Sequence, residues 1–231
     1  MNAFPPNRAV QQAAKRVLTE IGEQLTPAST ESSIAAFARQ RLAALGFPGT
    51  WYHGCPALVL LGGRSRCSVS GRDYTPGHER VGERNLVTVD LSPRDGTRWG
   101  DCARSFAIEH GRHTEAPASD EFRDGFAALA QLHREVLEFV SPETTCSELC
   151  RFAQRRIASM GYENLDFLGN IGHSIETTLA DRFFIDPNTH ARLSDMPCFT
   201  FEPHIARPDS PWGFKHEDIY YFDQRGALRR L

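Results

Sequence analysis

The stretch LVTVDLSPRDGTRWGDCARSF, residues 86–106, decides the fold. Its first four residues are apolar or β-branched, which is typical of a buried strand, yet that strand ends in the carboxylate of Asp90. Turn residues then lead to a second predicted strand near Trp99, which carries Asp101 eleven residues after Asp90. Two strands joined by a short loop can point both carboxylates at one spot. Buried carboxylates need a cation to offset their charge, and oxygen ligands favour a hard one.

The composition limits the class of protein. The chain has 231 residues, 24% of them charged, and a net charge of −3 at pH 7, so it has no basic surface that would indicate nucleic-acid binding. The sequence contains no apolar run of about 18 residues, so it predicts no membrane span. The first ten residues do not have the pattern of a secretory signal. The six cysteines form no CxxC motif, which favours small apolar residues in a reducing compartment. We therefore expect a cytoplasmic protein.

The predicted elements occur in two similar series. Helices are predicted over residues 8–25, 30–45, 122–140 and 145–160, strands over 56–61, 86–90, 198–202 and 217–222, and a hairpin with a loop over 66–85. Residues 26–47, TPASTESSIAAFARQRLAALGF, align without a gap on residues 141–162, SPETTCSELCRFAQRRIASMGY, with eight of the 22 positions identical. Capped amphipathic helices share simple patterns, which is the alternative explanation of this match.

The strands argue for a true internal repeat. LVTVD at 86–90 matches CFTFE at 198–202, so that Asp90 corresponds to Glu202, and Asp101 corresponds to Glu217 at a similar offset. A pseudo-twofold axis between the halves would bring the four carboxylates to one centre. His173, in GNIGHSIE, is a fifth candidate, although a lone histidine is often an ordinary core residue. Its neutral imidazole would complete a ligand set for two divalent cations.

Taken together, these motifs resemble those of the pita-bread metallopeptidases: methionine aminopeptidase, aminopeptidase P and prolidase. VDLSP, GDCARSF, IGHSI, TFEPHI and HEDIYYF follow the order of that family's VDLG, GDxTRTF, GHGIG, TxEPG and RxED motifs, over about residues 8–225. The resemblance implies an α+β pita-bread fold of duplicated α-α-β-β halves related by a pseudo-twofold axis. We expect one domain, residues 1–231, with halves at about 8–115 and 116–225 and without the separate N-terminal domain of prolidase and aminopeptidase P.

The resemblance also implies a dinuclear centre that holds two divalent ions, of Mn, Fe, Co or Zn. The implied metal ligands are Asp90, Asp101, His173, Glu202 and Glu217.

Residues near these ligands depart from the family. Asp73 stands where the family has one substrate-binding histidine, and Ala180 stands in place of a second. His204 occupies the glycine position of the TxEPG motif, and His216 is interpreted as the replacement for the arginine of RxED. We expect His53 and His204 to take over substrate binding and proton transfer. Asp73 would favour a cationic group on the substrate.

The implied activity is hydrolysis of an amide or peptide bond in a small molecule or short peptide, with Glu202 shuttling the proton. The loss of two family histidines predicts weak activity on Met-peptides and Xaa-Pro peptides. One alternative is a pita-bread enzyme of other chemistry, such as a creatinase-like C–N hydrolase or a lyase. A second alternative is a non-catalytic binding module. We expect no nucleic-acid or membrane partner, and the resemblance leaves a homodimer open.

Overall fold

The computed structural model describes residues 6–231. Its helices are α1 (Arg8–Gln24), α2 (Glu31–Ala44), α3 (Asp120–Phe139) and α4 (Cys146–Ser159). Its strands are β1 (Gly49–Thr50), β2 (Ala57–Leu61), β3 (Asn85–Leu91), β4 (Pro93–Asp95), β5 (Arg98–Trp99), β6 (Cys102–Glu109), β7 (Arg112–Thr114), β8 (Glu163–Asn164), β9 (Phe199–Phe201), β10 (His204–Ala206), β11 (Phe214–Phe222) and β12 (Leu228–Arg230). Short 3₁₀ helices cover Gly62–Arg66, Leu179–Asp181 and Leu193–Asp195.

One antiparallel sheet joins the two halves of the chain. Its central order is β2-β3-β6-β11-β10-β8, while β7 pairs with β6, and β9 and β12 pair with β11. The first half meets the second where β6 lies beside β11, with Ala103 opposite Glu217. A separate three-stranded sheet has the order β1-β4-β5. The α+β class predicted from the sequence is confirmed, and the junction of the halves brings the two carboxylate strands of each half close together.

The second helix of each half begins and ends in the same way. Thr30 caps α2 and Thr145 caps α4, each through a capping box in which the side chain at the third helical position bonds back to the cap. Each helix ends two residues before a glycine with positive φ, at +91° for Gly46 and +79° for Gly161. Glycine adopts this conformation without steric cost, so it ends both helices.

Matched contacts support the internal repeat. Arg41 forms an ion pair with Glu20 at 2.7 Å, and Arg156 forms one with Glu135, also at 2.7 Å. Both pairs join the two helices of one half, and their numbers differ by the same 115 residues as the repeated sequences. Each half also contributes most of one apolar core, one between α1, α2 and the strands β2, β3 and β6, the other between α3, α4 and the strands of the second half. A third, smaller cluster, which includes Trp51, Trp99 and Ile219, is shared by both halves.

Two local expectations are wrong. Residues 67–84, all described, form turns and irregular backbone instead of a hairpin. This segment is held by buried Glu31, whose carboxylate accepts hydrogen bonds from the amides of Leu61 at 2.9 Å and Gly77 at 2.6 Å. Asp101, predicted on a strand, lies in the break between β5 and β6.

Within residues 6–231, no helix combines the length and the apolar character needed to cross a bilayer.

Candidate metal centre

Five residues predicted as ligands converge at the junction of the halves. Asp90 lies near the end of β3, Glu217 lies on β11, and Glu202 follows β9 directly. His173 Nε2 lies 3.1 Å from Asp101 Oδ2 and 3.9 Å from Glu202 Oε1. Ligand atoms of Asp101, His173 and Glu217 all lie within 4.8 Å of one another. The structure therefore brings together a set of side chains with the donor atoms of a metal centre.

Backbone contacts orient His173. Its Nδ1 lies 2.8 Å from the carbonyl oxygen of Ser174, and because a carbonyl only accepts, Nδ1 carries the proton and donates it. Its backbone amide donates to Thr200 Oγ1 at 3.0 Å. In the neutral ring Nε2 is therefore the lone-pair nitrogen that faces the carboxylates, which is the tautomer that a metal ligand requires. Burial opposes the charged ring, but Asp101 and Glu202 outweigh it and raise the pKa of His173.

Three oxygen atoms at this centre are buried without a hydrogen-bond donor. They are Asp101 Oδ2 and both carboxylate oxygens of Glu217. His173 is near Asp101 Oδ2, but the contact does not have hydrogen-bond geometry. Burial raises the pKa of Asp101 to about 6, and burial with the neighbouring negative charges raises the pKa of Glu217 well above its usual value. Buried oxygens of this kind fit a cation, because a bound cation would satisfy them and favour their ionised form.

Lys215 is the principal residue of the centre that the sequence analysis missed. Its Nζ lies 2.6 Å from Asp90 Oδ2, 3.2 Å from Glu202 Oε2 and 3.9 Å from Glu217 Oε2. Burial alone would lower the pKa of Lys215, but the attraction of Asp90, Glu202 and Glu217 outweighs it and raises that pKa well above its usual value. Burial likewise opposes the ionisation of Glu202, yet the positive charge of Lys215 and the nearby His173 lower its pKa. Lys215 is therefore a fixed positive charge inside the carboxylate cluster.

The period of a β-strand corrects the interpretation of His216. Alternate residues of a strand face the same side, so Lys215 and Glu217 point into the centre while His216 and Asp218 point away from it. The RxED pattern leaves one residue between its arginine and glutamate, so Lys215, and not His216, stands at the arginine position. Counting along the strand would have found this residue.

The opposite face of the sheet carries a second cluster of titratable residues. Both ring nitrogens of His133 form hydrogen bonds: Nδ1 lies 2.8 Å from the Tyr220 hydroxyl, and Nε2 lies 3.1 Å from the His216 carbonyl oxygen. Asp218 contacts His216 Nε2 at 3.0 Å and Arg104 Nη2 at 2.9 Å. Burial would raise the pKa of Asp218, but these two partners lower it well below its usual value. Because its donors and acceptors already have partners, this cluster does not fit a metal ion.

A cavity of about 120 Å³ opens beside the carboxylates. Rings of Trp51, Tyr52 and Phe184 line it, and the guanidinium of Arg182 lies over these three rings at 5.6, 5.9 and 4.6 Å. Arg182 Nε is buried without a hydrogen-bond partner. The rim includes two exposed apolar residues, at 167 and 168. The cavity therefore offers an aromatic wall that holds the Arg182 guanidinium, directly beside the candidate metal ligands and Lys215.

Of the predicted substrate residues, only one lines this cavity. His204 does so, with its Nε2 2.6 Å from the Ser65 carbonyl oxygen. Burial, together with the charge of Lys215, lowers the pKa of His204 to about 4, so its imidazole is neutral at pH 7. His53 and Asp73 are exposed and are not among the residues that line the cavity. Ala180 is exposed on the 3₁₀ helix Leu179–Asp181.

The comparisons with known proteins agree with this geometry. The sequence pattern of metallopeptidase family M24 matches residues 7–224. The chain is 25% identical over 222 residues to the probable dipeptidase PepE of Mycobacterium tuberculosis (strain ATCC 25618 / H37Rv), a match that covers 96% of this chain and 55% of the relative. The chain thus spans about half the length of the curated relatives it matches.

Solved structures show the same fold at low sequence identity. X-Pro aminopeptidase from Thermotoga maritima MSB8 superposes with a TM-score of 0.79 and 18% identity, over 97% of this chain and 58% of that one. Prolidase from Pyrococcus furiosus superposes with a TM-score of 0.77 and 18% identity, over 96% of this chain and 62% of that one. Methionine aminopeptidase from Thermotoga maritima superposes with a TM-score of 0.76 and 13% identity, over 100% of this chain and 98% of that one. The predicted pita-bread fold is confirmed, and because the family pattern covers almost the whole chain, this protein belongs to metallopeptidase family M24.

Proposed function

We propose that this chain is a metal-dependent hydrolase that cleaves the amide or peptide bond of a small substrate. One observation carries the proposal: four carboxylates and His173 converge beside a cavity, and three of the carboxylate oxygens are buried without a donor. Relatives described as a probable dipeptidase, a prolidase and an X-Pro aminopeptidase support peptides as the substrate class.

The residues that would hold a divalent ion are Asp101, His173, Glu202 and Glu217. A bound ion supplies Lewis acidity, which polarises a carbonyl group and makes water more acidic. Glu202 is the chain's own base in this proposal. Its side chain is 17% exposed, so it can meet a water molecule, and its lowered pKa keeps it ionised to accept the proton and pass it to the leaving amine.

Arg182 and the aromatic wall would select the substrate. A guanidinium with a buried, unpartnered Nε is suited to a carboxylate, because charge-assisted hydrogen bonds are stronger than neutral ones. The exposed apolar rim would contact a non-polar side chain. We therefore infer a peptide of about dipeptide size with a free C-terminal carboxylate. Asp73 is exposed and outside the cavity lining, so we no longer assign it to recognition of a cationic group.

The experiment is a substrate panel on protein purified without chelator and loaded with Mn, Co, Fe or Zn. We expect turnover of dipeptides, loss of that turnover in Asp101→Ala together with most of the bound metal, and normal turnover in the exposed control Asp95→Ala. Turnover of guanidino compounds but of no peptide would favour a creatinase-like reaction instead. Because Asp73 and Ala180 replace the family's histidines, we still predict an efficiency below about 10⁴ M⁻¹s⁻¹ on Met-peptides and Xaa-Pro peptides.

We also propose a cytoplasmic location, which rests on the cysteine usage. All six cysteines are free thiols, four of them buried.

A further inference from the structure

We propose that Lys215 takes the place of one of the two metal ions expected for this centre, so that the chain holds a single divalent ion. This inference rests on the metal centre of the proposed function. In it, the ion lies on the side of Asp101, His173 and Glu217, and the Lys215 ammonium offsets the negative charge on the side of Asp90.

The first support is the position of the ammonium group. Lys215 Nζ lies 2.6 Å from Asp90 and 3.2 Å from Glu202, within hydrogen-bond distance of both carboxylates. A lysine ammonium is a compact charge with three donors, so it can serve several carboxylates at once, as a metal ion does. The ammonium group of Lys215 thus already offsets the negative charge between Asp90 and Glu202.

The second support is the division of the carboxylate oxygens. Asp101 Oδ2 and both oxygens of Glu217 have no hydrogen-bond donor, and Lys215 reaches Glu217 only at 3.9 Å. The same two residues, with His173, form the group whose ligand atoms lie within 4.8 Å of one another. On one side of the centre the chain leaves carboxylate oxygens without a donor, while on the other side it supplies an ammonium group.

The third support is the backbone of Lys215. Its amide donates to Ser105 Oγ at 2.8 Å, and the same hydroxyl donates to the Lys215 carbonyl oxygen at 3.2 Å. On the other side, Lys215 is in register with His204 of β10. Because the strand is bonded on both edges, the lysine side chain starts from a fixed point on the same face as Glu217, and its charge is directed into the centre.

The repulsion between the ammonium group and a second metal ion favours one ion over two. Four carboxylates carry four negative charges, of which one divalent ion and one ammonium offset three. Two divalent ions would leave the ammonium in excess and in contact with a dication at short range, where like charges repel strongly. Removal of the lysine charge should therefore open the second position.

The test is a count of bound ions by elemental analysis after dialysis against excess Mn²⁺ and removal of free metal. We expect one ion per chain in the wild type and two in Lys215→Met, which keeps an unbranched side chain, shorter by one atom, and removes its charge. An exchange-coupled Mn²⁺ pair should appear in the electron paramagnetic resonance spectrum of the variant only. Two ions in the wild type, or one in a folded Lys215→Met protein, would overturn the inference.

Asp90→Asn provides a second measurement that does not depend on the folding of the lysine variant. Because the single ion is assigned to the other side of the centre, Asp90→Asn should still bind one ion, and its failure to bind any would overturn the inference. The ion count separates this inference from the proposed function. One ion without peptide hydrolysis overturns only the function, two ions with hydrolysis overturn only the role of Lys215, and no ion in the wild type overturns both.

Discussion

Arg182 is unusual among the arginines of this chain in facing aromatic rings at the candidate site. Its guanidinium lies 4.6 Å from the centre of the Phe184 ring, and its Nε is buried without a hydrogen-bond partner. A cation held in this way keeps its charge available for a ligand, since the rings attract it without neutralising it.

The variant Arg182→Met tests the recognition of a substrate carboxylate. We expect KM for dipeptides to rise roughly 10- to 100-fold, as for the loss of a charge-assisted hydrogen bond, with little change for peptides amidated at the C-terminus. Steady-state kinetics on matched free and amidated peptides measure the difference. Arg192→Met, an exposed arginine paired with Glu143, is the control. Equal losses on both kinds of peptide would contradict carboxylate recognition.

The variant Glu202→Gln tests the proton shuttle. An amide of the same shape cannot accept the proton of a water molecule at neutral pH, so kcat should fall about 10²- to 10⁴-fold. Glu176→Gln, a half-buried glutamate outside the cavity lining, should keep its kcat. The kcat of both variants is measured at saturating metal, and bound metal is quantified in the same samples. A normal kcat in Glu202→Gln would show that another residue acts as the base.

The residues of the centre were predictable where the sequence spacing between motifs and the alternation of strand residues could be counted. Asp90 and Asp101 stand eleven residues apart, and the repeat paired them with Glu202 and Glu217. The convergence of these residues was therefore expected, whereas their ligation of a metal stays a prediction. Lys215 was missed because the pattern was read one residue out of register on a strand, where one position reverses the face.

At the scale of the elements, one glycine determines how closely two segments approach. A Cβ atom on Gly172 would lie 2.1 Å from the carbonyl oxygen of Thr200, and the φ angle of Gly172 is +156°. The segment before His173 can therefore lie against β9 only without a side chain at this position, and this contact delivers the imidazole to the carboxylates.

The variant Gly172→Ala should force the His173 segment away from β9. We expect a loss of at least about 2 kcal/mol in the free energy of unfolding, together with weaker metal binding. Gly63→Ala is the control, because a Cβ there meets no atom within 4 Å. Urea unfolding and metal titration of both variants measure the two effects. Unchanged metal affinity in Gly172→Ala would show that the approach of these segments does not position His173.

The helices were the most predictable elements. Threonine caps at residues 30 and 145 and glycines at 46 and 161 fix the ends of α2 and α4 through local chemistry, which the sequence displays directly. The loop at 67–84 was mispredicted as a hairpin. Its path depends on Glu31, a residue of α2 that accepts hydrogen bonds from the amide of Leu61, before the segment, and from that of Gly77, within it, and no local pattern records such a distant contact.

At the scale of the whole molecule, buried neutral histidines make stability depend on pH. Burial and the neighbouring His216 lower the pKa of His133 well below 6.5. The unfolded chain therefore binds a proton at this residue as the pH falls below about 6.5, while the folded chain does not. Stability from this group is complete above that pH and is lost progressively below it.

The variant His133→Gln should show a weaker acid dependence than the wild type. Glutamine retains a donor and an acceptor but does not titrate, so the difference in unfolding free energy between pH 7.5 and pH 5.0 should shrink. Urea unfolding at both pH values measures this difference, with the exposed His78→Gln as the control. Identical pH dependence in wild type and His133→Gln would assign the acid sensitivity to other groups.

The two halves of the chain supply different parts of one centre, although each contributes most of one apolar core. Asp90 and Asp101 come from the first half, and the other three candidate ligands come from the second. A bound ion would therefore add a reversible cross-link to the β6–β11 pairing that joins the two halves. If a protease site is inserted between Glu115 and Ala116, both exposed, we expect the cut fragments to elute as one species with metal and to separate more readily with chelator. Fragments that separate equally with and without metal would contradict this. The strength of the association between the two halves would then depend on the concentration of free metal ion.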